Sequence, residues 1–126
     1  MIVLVFGATG LIGSECFKEI DKDPNFKAVA IVRSRDKFKK IVPVHLHNNV
    51  FVYDPKTQIE NSLAKLMEEV LSTHPGNEDV GIVNLARNIN LMNVSENFSS
   101  YFADEIESCH GILEEGLRSF GSRLRR

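Results

Sequence analysis

The sequence predicts an α/β fold in which a parallel sheet of about four strands, in the order 3-2-1-4, carries helices on both faces. Short apolar runs, of the kind buried on both sides in parallel sheets, alternate with amphipathic segments of helical period. This alternation occurs four times. Right-handed crossovers then fix the strand order and place the first two helices on one face and the last on the other. With 126 residues, 43% of them hydrophobic, we expect one domain spanning residues 1–126.

Each predicted element has a local cause. The strands are β-branched and aromatic runs closed by turn residues such as Gly7, and the helices repeat apolar residues at i, i+3 and i+4 between glycine and proline signals. The predicted strands are residues 2–6, 26–32, 50–53 and 80–85. The predicted helices are residues 11–20, 35–41, 62–73 and a long last helix that Asn93 and Glu96 open as an N-cap pair.

The last helix has the longest apolar stripe in the chain. Cys16 lies on the corresponding stripe of the first helix. We therefore expect both cysteines to be free, mostly buried thiols that face opposite sides of the sheet. The residues that hold this face of the last helix are Phe98, Phe102, Ile106, Cys109, Leu113 and Leu117.

Charge and hydropathy exclude several classes of partner. The chain has 15 basic and 17 acidic residues, mixed along its length, which gives no broad footprint for nucleic acid. No apolar run is long enough to span a bilayer, and Met1 leads directly into a strand pattern without a basic leader. We expect a cytoplasmic protein that binds neither nucleic acid nor membrane.

The segment "MIVLVFGATGLIG" carries the main functional signal. Gly7 allows a tight turn, Gly10 lets a pyrophosphate approach the backbone, and Gly13 permits close packing of helix on strand. Backbone N–H groups at the start of the following helix form an anion site. The alternative is a tight turn that binds nothing. The residues predicted to bind a nucleotide here are Gly7, Thr9, Gly10, Leu11, Ile12 and Gly13.

The motif "VFGATGLIG" resembles the GxxGxxG signature of the short-chain dehydrogenase/reductase superfamily, in its extended or atypical branch. The resemblance implies a Rossmann-like three-layer sandwich that binds NAD(P). It also implies that Asp54 lies beside the adenine and that Leu85 and Ala86, in "IVNLA", flank the cofactor. The segment "YFADEIESCHGILEEGLRSFG" is similar to the long helix of this family.

The end of the second strand selects between the two dinucleotides. Arg33, Ser34 and Arg35 stand where an acidic residue would bind the free ribose hydroxyls of NAD(H). Basic residues there favour the 2′-phosphate, so we expect NADP(H) in preference to NAD(H). The alternative is a solvated basic segment that includes Lys37, Lys39 and Lys40.

The sequence does not contain the catalytic residue pattern that the resemblance implies. The family uses a tyrosine whose pKa is lowered by a lysine four residues later. Tyr53 and Tyr101 are instead followed at that spacing by Thr57 and Glu105. Ser108 stands at the place of the family's asparagine, so we assign no catalytic residue.

The family's fifth strand is expected after the last helix, where this sequence has "SFGSRLRR". We therefore predict a truncated sheet, a basic tail over residues 119–126, and a catalytic half outside this chain. "VGIVNLA" then becomes an apolar edge strand, which a homodimer or a heterologous protein partner would cover. His45 and His47 have a spacing that suits zinc, but no third ligand is suggested, so no metal site is predicted.

Three functions follow from this reading. The first is an NADP(H)-binding module without its own oxidoreductase activity. The second is an oxidoreductase or epimerase subunit completed by a partner chain. The third is a protein-interaction module that has lost the ligand.

Overall fold

The computed structural model describes residues 1–54, 62–86 and 98–125. Its four strands are all parallel and lie in the order β3-β2-β1-β4, which confirms the predicted α/β class and strand order. The predicted N-cap pair of the last helix lies outside the described residues. The elements are β1 (Ile2–Phe6), α1 (Leu11–Lys22), β2 (Lys27–Val32), α2 (Arg35–Ile41), β3 (Val50–Val52), α3 (Ser62–Thr73), β4 (Val80–Asn84) and α4 (Phe98–Phe120), with short 3-10 helices at Val44–Leu46 and Gly121–Arg123.

The strand register brings the carboxyl ends of the strands to one edge of the sheet. Phe6, the last residue of β1, is level with Ile31 in β2 and with Asn84 in β4. Ile31 is in turn level with Phe51 in β3. Because parallel strands run in the same direction, the segments that follow all four strands start at this edge, where α/β sheets bind their ligands.

Helices cover both faces of the sheet, as predicted. On one face, α1 and α2 pack over alternate strand residues, and the rings of Phe17 and Phe38 meet edge to face at 5.3 Å. On the other face, α3 and α4 pack over the remaining strand residues. Met67 of α3 and Ile112 of α4 belong to this core. The first two helices therefore lie on one side and the last on the other, so the sheet is buried from both directions.

The packing face of α4 differs from the apolar stripe that the sequence shows. Ile112 and Phe120 are buried, whereas Ile106, Leu113 and Leu117 are 55%, 51% and 38% exposed. A Cβ on Gly116 would lie 2.7 Å from the end of the Ile82 side chain, so α4 also packs closely against β4 at this glycine.

The expectation of buried cysteines is wrong for Cys109, because the side chain of that residue is exposed. Cys16 is half-buried on α1. Both are free thiols.

The segment 119–125, predicted as a basic tail, reaches the outer edge of β4 with its last two residues. Ser119 and Phe120 end α4, and Leu124 forms a parallel bridge with Val80 after the second 3-10 helix. The Arg125 N–H donates to the Val80 carbonyl oxygen at 2.8 Å. β4 is the edge strand of the sheet, as expected, with this short bridge at its first residue.

None of the helices that the structure describes combines the length and the apolarity needed to cross a bilayer.

Candidate functional site

The turn after β1 is held by the backbone of three neighbouring segments. The Gly7 N–H donates to the Ile31 carbonyl oxygen at 3.1 Å, and the Gly7 carbonyl accepts from the Gly10 N–H at 3.0 Å. Gly7 has a φ of +81°, a conformation that side chains with a Cβ rarely adopt. A Cβ there would also lie 2.6 Å from the Ala86 nitrogen. The fold itself therefore requires glycine at position 7.

Gly13 is required by the fold for a different reason. It lies in the first turn of α1, and a Cβ there would overlap the Gly7 carbonyl oxygen and lie 2.8 Å from its carbon. Since both of those atoms belong to the backbone, they cannot move aside as the end of a side chain would. Gly13 thus allows α1 to start directly against the turn.

At position 10, by contrast, the fold does not require glycine. Its backbone is extended, with φ −74° and ψ 167°, which any residue adopts. A Cβ there would have the Gly7 carbonyl oxygen at 3.4 Å, an ordinary van der Waals distance. Among the three glycines of the loop, Gly10 is the one whose lack of a side chain is not explained by packing within the described residues.

The first turn of α1 has no side-chain cap. Gly10 is the N-cap, and it offers no side chain to the amides of the first turn. Such amides have no partner within the helix and lie at the positive end of its dipole. Leu11 and Ile12 are 88% and 73% exposed, so this turn faces solvent. Thr9 beside them is half-buried. The geometry suits a phosphate group that is bound by backbone N–H groups.

Exposed cations follow β2 at the same edge of the sheet. Arg33, Ser34 and Arg35 are all exposed. The Ser34 hydroxyl accepts from the Lys37 N–H at 3.2 Å, so it caps α2. The buried Phe38 fixes this short helix by packing against Phe17 of α1. The basic segment is thereby attached to the helix whose start is the glycine loop.

Tyr53 and Asp54 follow β3 and are half-buried. The Tyr53 N–H donates to the Val32 carbonyl oxygen at 2.8 Å, and the Tyr53 ring meets Phe6 edge to face at 6.4 Å. Burial, and then the negative charge of Asp54, raise the pKa of the Tyr53 phenol above its usual value. A catalytic tyrosine of the kind that the resemblance implies needs the opposite shift.

Leu85 and Ala86 follow β4 and form one wall of the candidate site. They lie beside the glycine loop, which is the turn that carries Gly7, Gly10 and Gly13. The Leu85 N–H donates to the Phe6 carbonyl oxygen at 2.9 Å. Ala86 lies against Gly7, and its N–H donates to the Asn84 side-chain oxygen at 3.2 Å. The Asn84 amide nitrogen in turn donates to the Cys109 sulfur on α4 at 3.2 Å. Asn84 thus connects the wall to α4.

Sequence reasoning missed Asn84 as a site residue. Its signal was present, because it is the amide side chain that ends the apolar run of β4. Its role depends on the turn at Ala86 and on the position of Cys109, and neither is visible in a sequence pattern.

The structure brings the predicted residues to one edge of the sheet, in two groups. The glycine loop and Ala86 are in direct contact, whereas Arg33, Ser34 and Arg35 lie on the β2 side of that loop. Tyr101 belongs to α4, but its side chain lies outside what the structure describes.

The two histidines that suggested zinc are engaged separately. His45 lies 3.6 Å from an Asp21 carboxylate oxygen, and a His47 ring nitrogen lies 3.1 Å from the Val42 carbonyl oxygen. The described part of the chain has no cluster of three metal-ligating side chains.

The fold and the loop define a small α/β protein of Rossmann-like layout with an open helix start at the carboxyl edge of its sheet. No protein-family model matches the chain, and neither a curated protein nor a solved structure matches it.

Proposed function

We propose that this chain is a dinucleotide-binding module of the short-chain dehydrogenase/reductase type that takes NADP(H) in preference to NAD(H). The observation that carries the proposal is the bare backbone of Gly10. Packing accounts for the glycines at positions 7 and 13, whereas position 10 tolerates a side chain in the described structure. A ligand that must approach this backbone closely explains the third glycine.

The ligand group at Gly10 is a pyrophosphate. The exposed start of α1 supplies N–H donors and the positive end of the helix dipole, which favour an anion over a neutral group. The wall formed by Leu85 and Ala86 borders the loop on the β4 side. On the β3 side, the half-buried Asp54 stands at the strand end, where the resemblance puts the adenine.

Selection of NADP(H) rests on Arg33 and Arg35. Both are exposed just after the end of β2. No acidic residue stands between the end of β2 and Asp36 in the sequence. A guanidinium forms charge-assisted hydrogen bonds with a phosphate and none of comparable strength with a ribose hydroxyl. Ser34 is engaged as the cap of α2, so the two arginines carry the selectivity.

The bound dinucleotide supplies hydride transfer, and the residues of this chain bind and orient it. Neither tyrosine has a lysine four residues later, so we propose binding without turnover by this chain alone. An oxidoreductase completed by a partner chain would use the same loop and the same arginines.

The test is a calorimetric titration of the purified protein with NADPH and, separately, with NADH. We expect micromolar binding of NADPH and much weaker binding of NADH. Gly10→Val should abolish binding and leave the fold intact, because a Cβ at position 10 would have only the Gly7 carbonyl oxygen nearby, at 3.4 Å.

Gly111→Ala is the matched glycine control. A Cβ on Gly111 would have no neighbour within 4 Å, and this position lies on α4, away from the loop. The affinity of Gly111→Ala for NADPH should equal that of the wild type. Unchanged affinity in Gly10→Val would remove the phosphate-loop assignment, and failure of the wild type to bind either dinucleotide would overturn the proposed function.

A further inference from the structure

Ser34 is an exposed serine between the two arginines that carry the proposed choice of dinucleotide. Arg33 and Arg35 flank it in the sequence, and Lys37 lies three residues further on. All three cations are exposed, and none of them has an ion pair among the described residues. The Ser34 hydroxyl is therefore surrounded by positive charge that the fold itself does not neutralise.

The Ser34 hydroxyl is oriented, and its proton is free. Its oxygen accepts from the Lys37 N–H at 3.2 Å, and its proton has no acceptor among the described residues. The hydroxyls of Ser72 and Thr73, by contrast, donate to carbonyl oxygens of their own helix. The Ser34 backbone is extended, with φ −132° and ψ 114°, as in peptides that enter the cleft of another protein. The oxygen is thus accessible to a modifying enzyme.

We propose that Ser34 is a phosphorylation site, and that its phosphate changes the preferred ligand of the chain from NADP(H) to NAD(H). The inference rests on the proposed function, because it assigns a regulation to the same arginines. In the modifying step, a protein kinase transfers the γ-phosphoryl group of a nucleoside triphosphate. The bond between the Ser34 oxygen and phosphorus forms, and the bond between phosphorus and the leaving nucleoside diphosphate breaks. The hydroxyl proton passes to a base of the kinase.

The charge of the segment 33–40 favours a kinase with an acidic substrate cleft. The segment has five cations, and Asp36 is its one acid. Kinases select their substrates in part by such charge patterns. Phe38 is the one buried residue of α2, so the segment around Ser34 opens locally at a small cost in free energy.

A phosphate on Ser34 competes with the 2′-phosphate of NADP(H) for the same cations. It carries a charge of about −2 at neutral pH and three acceptor oxygens. Because it is attached to the residue between Arg33 and Arg35, its local concentration at both guanidinium groups is far above that of a free ligand. The arginines then pair within the chain, and the 2′-phosphate meets negative charge where it previously met positive charge.

The same phosphate favours NAD(H). Sites that select NAD(H) have an acidic group after the second strand, where it accepts hydrogen bonds from the free ribose hydroxyls. Phosphorylated Ser34 supplies a negatively charged acceptor two residues after the end of β2. NADH has no 2′-phosphate for it to repel, so the modification reverses the selection.

The first experiment asks whether the site is modified. The purified full chain is incubated with ATP and a protein kinase selective for serines with basic residues on both sides, and the modified positions are identified by mass spectrometry. We expect phosphate on Ser34 in the wild type and none at this position in Ser34→Ala. A wild type without phosphate on Ser34 would overturn the modification site.

The second experiment tests the contact with the arginines without any dinucleotide. Phosphoserine is incorporated at position 34 and titrated by phosphorus NMR. Its second pKa is ordinarily about 6, and pairing with a guanidinium lowers it. We expect a lower pKa in the folded protein than in urea, and the double substitution Arg33→Ala/Arg35→Ala should remove this difference. Equal values in the folded and the unfolded protein would contradict the pairing.

The third experiment measures the change of preference by calorimetric titration. Phosphoserine at position 34 should reduce the affinity for NADPH at least about tenfold and leave the affinity for NADH equal or higher. Phosphoserine at position 72 is the matched control, because Ser72 is also exposed but lies on α3. It should change neither affinity. Circular dichroism verifies that each protein is folded.

The outcomes separate this inference from the proposed function. If the unmodified chain binds NADPH and phosphate at position 34 does not weaken that binding, the inference fails and the proposed function stands. An equal loss of NADPH and NADH binding would also overturn the change of preference. If the unmodified chain binds neither dinucleotide, the proposed function fails and the change of preference fails with it, whereas the labelling and the phosphorus titration still decide the modification site.

Discussion

Gly13 lies directly against the carbonyl oxygen of Gly7, so that a Cβ on Gly13 would overlap this oxygen. The same oxygen accepts a hydrogen bond from the Gly10 N–H, and the Gly7 nitrogen is bound to Ile31 of β2. The loop is thus held to the sheet at one end and to α1 at the other. Gly7 and Gly13 are explained by this attachment, and Gly10 is not.

The first prediction separates these two roles of glycine. Gly13→Ala should lower the free energy of unfolding by about 1–3 kcal/mol, because the added methyl overlaps immobile backbone atoms. Gly10→Ala should change it by less than about 1 kcal/mol, since its backbone conformation suits alanine while alanine is a poorer N-cap than glycine. Urea denaturation measures both. Equal destabilisation of the two variants would contradict the contrast on which the ligand argument depends.

The second prediction concerns the choice of dinucleotide. Arg33→Ala should weaken NADPH binding by roughly 1–3 kcal/mol more than NADH binding, because a charge-assisted hydrogen bond to the 2′-phosphate is lost. Lys39→Ala is the matched control, because it removes one exposed positive charge from the same basic segment near the end of α2. Calorimetric titration of both variants with both ligands provides the measurement. An equal effect of the two substitutions would assign the preference to general charge and not to Arg33.

Most of the fold was predictable because each strand carries its own signal. The runs that became β1 and β2 are apolar at nearly every position, and both lie buried between two layers of helix. Their strict alternation with helical segments fixes parallel order and handedness. The loop was predictable for the same reason, since Gly7 directly follows a buried strand and precedes a helix.

The rotation of α4 was not predictable from the apolar pattern. Its longest stripe contains Leu113 and Leu117, yet α4 packs on the sheet through Ile112 and Gly116. A glycine has no hydrophobicity to contribute to a periodic pattern, so a method that counts apolar side chains overlooks its close contact with Ile82. The position of Cys109 near Asn84 depends on this rotation and was missed with it.

The third prediction tests Asn84 as a positioning residue. Asn84→Ala removes the acceptor for the Ala86 N–H and should cost about 1 kcal/mol of stability. It should also weaken dinucleotide binding, because Ala86 forms the wall beside Gly7. Cys109→Ala removes only the contact on the α4 side and should change binding less. If the two variants bind NADPH equally well, Asn84 supports the fold without positioning the wall.

The fourth prediction concerns acid stability and the segment that borders β4. The Arg125 guanidinium donates to Asp79 at 2.8 Å, and this hydrogen bond is the largest cause of a pKa of Asp79 below its usual value. The attraction of Arg125 and the charge of the N-terminus lower this pKa further, whereas partial desolvation opposes the shift.

Because the pKa of Asp79 is lower in the folded state than in the unfolded state, the stabilisation is fully present above the ordinary aspartate range and is lost as the pH falls through the folded value. Arg125→Ala should move the pKa of Asp79 back toward 3.8, the ordinary value. The stability gap between wild type and variant near pH 7 should therefore shrink below about pH 4. A carbon-detected NMR titration of the Asp79 carboxyl measures the pKa directly. In an Asp79→Asn background the Arg125→Ala substitution should show no such acid dependence, and its persistence there would assign the effect to another carboxylate.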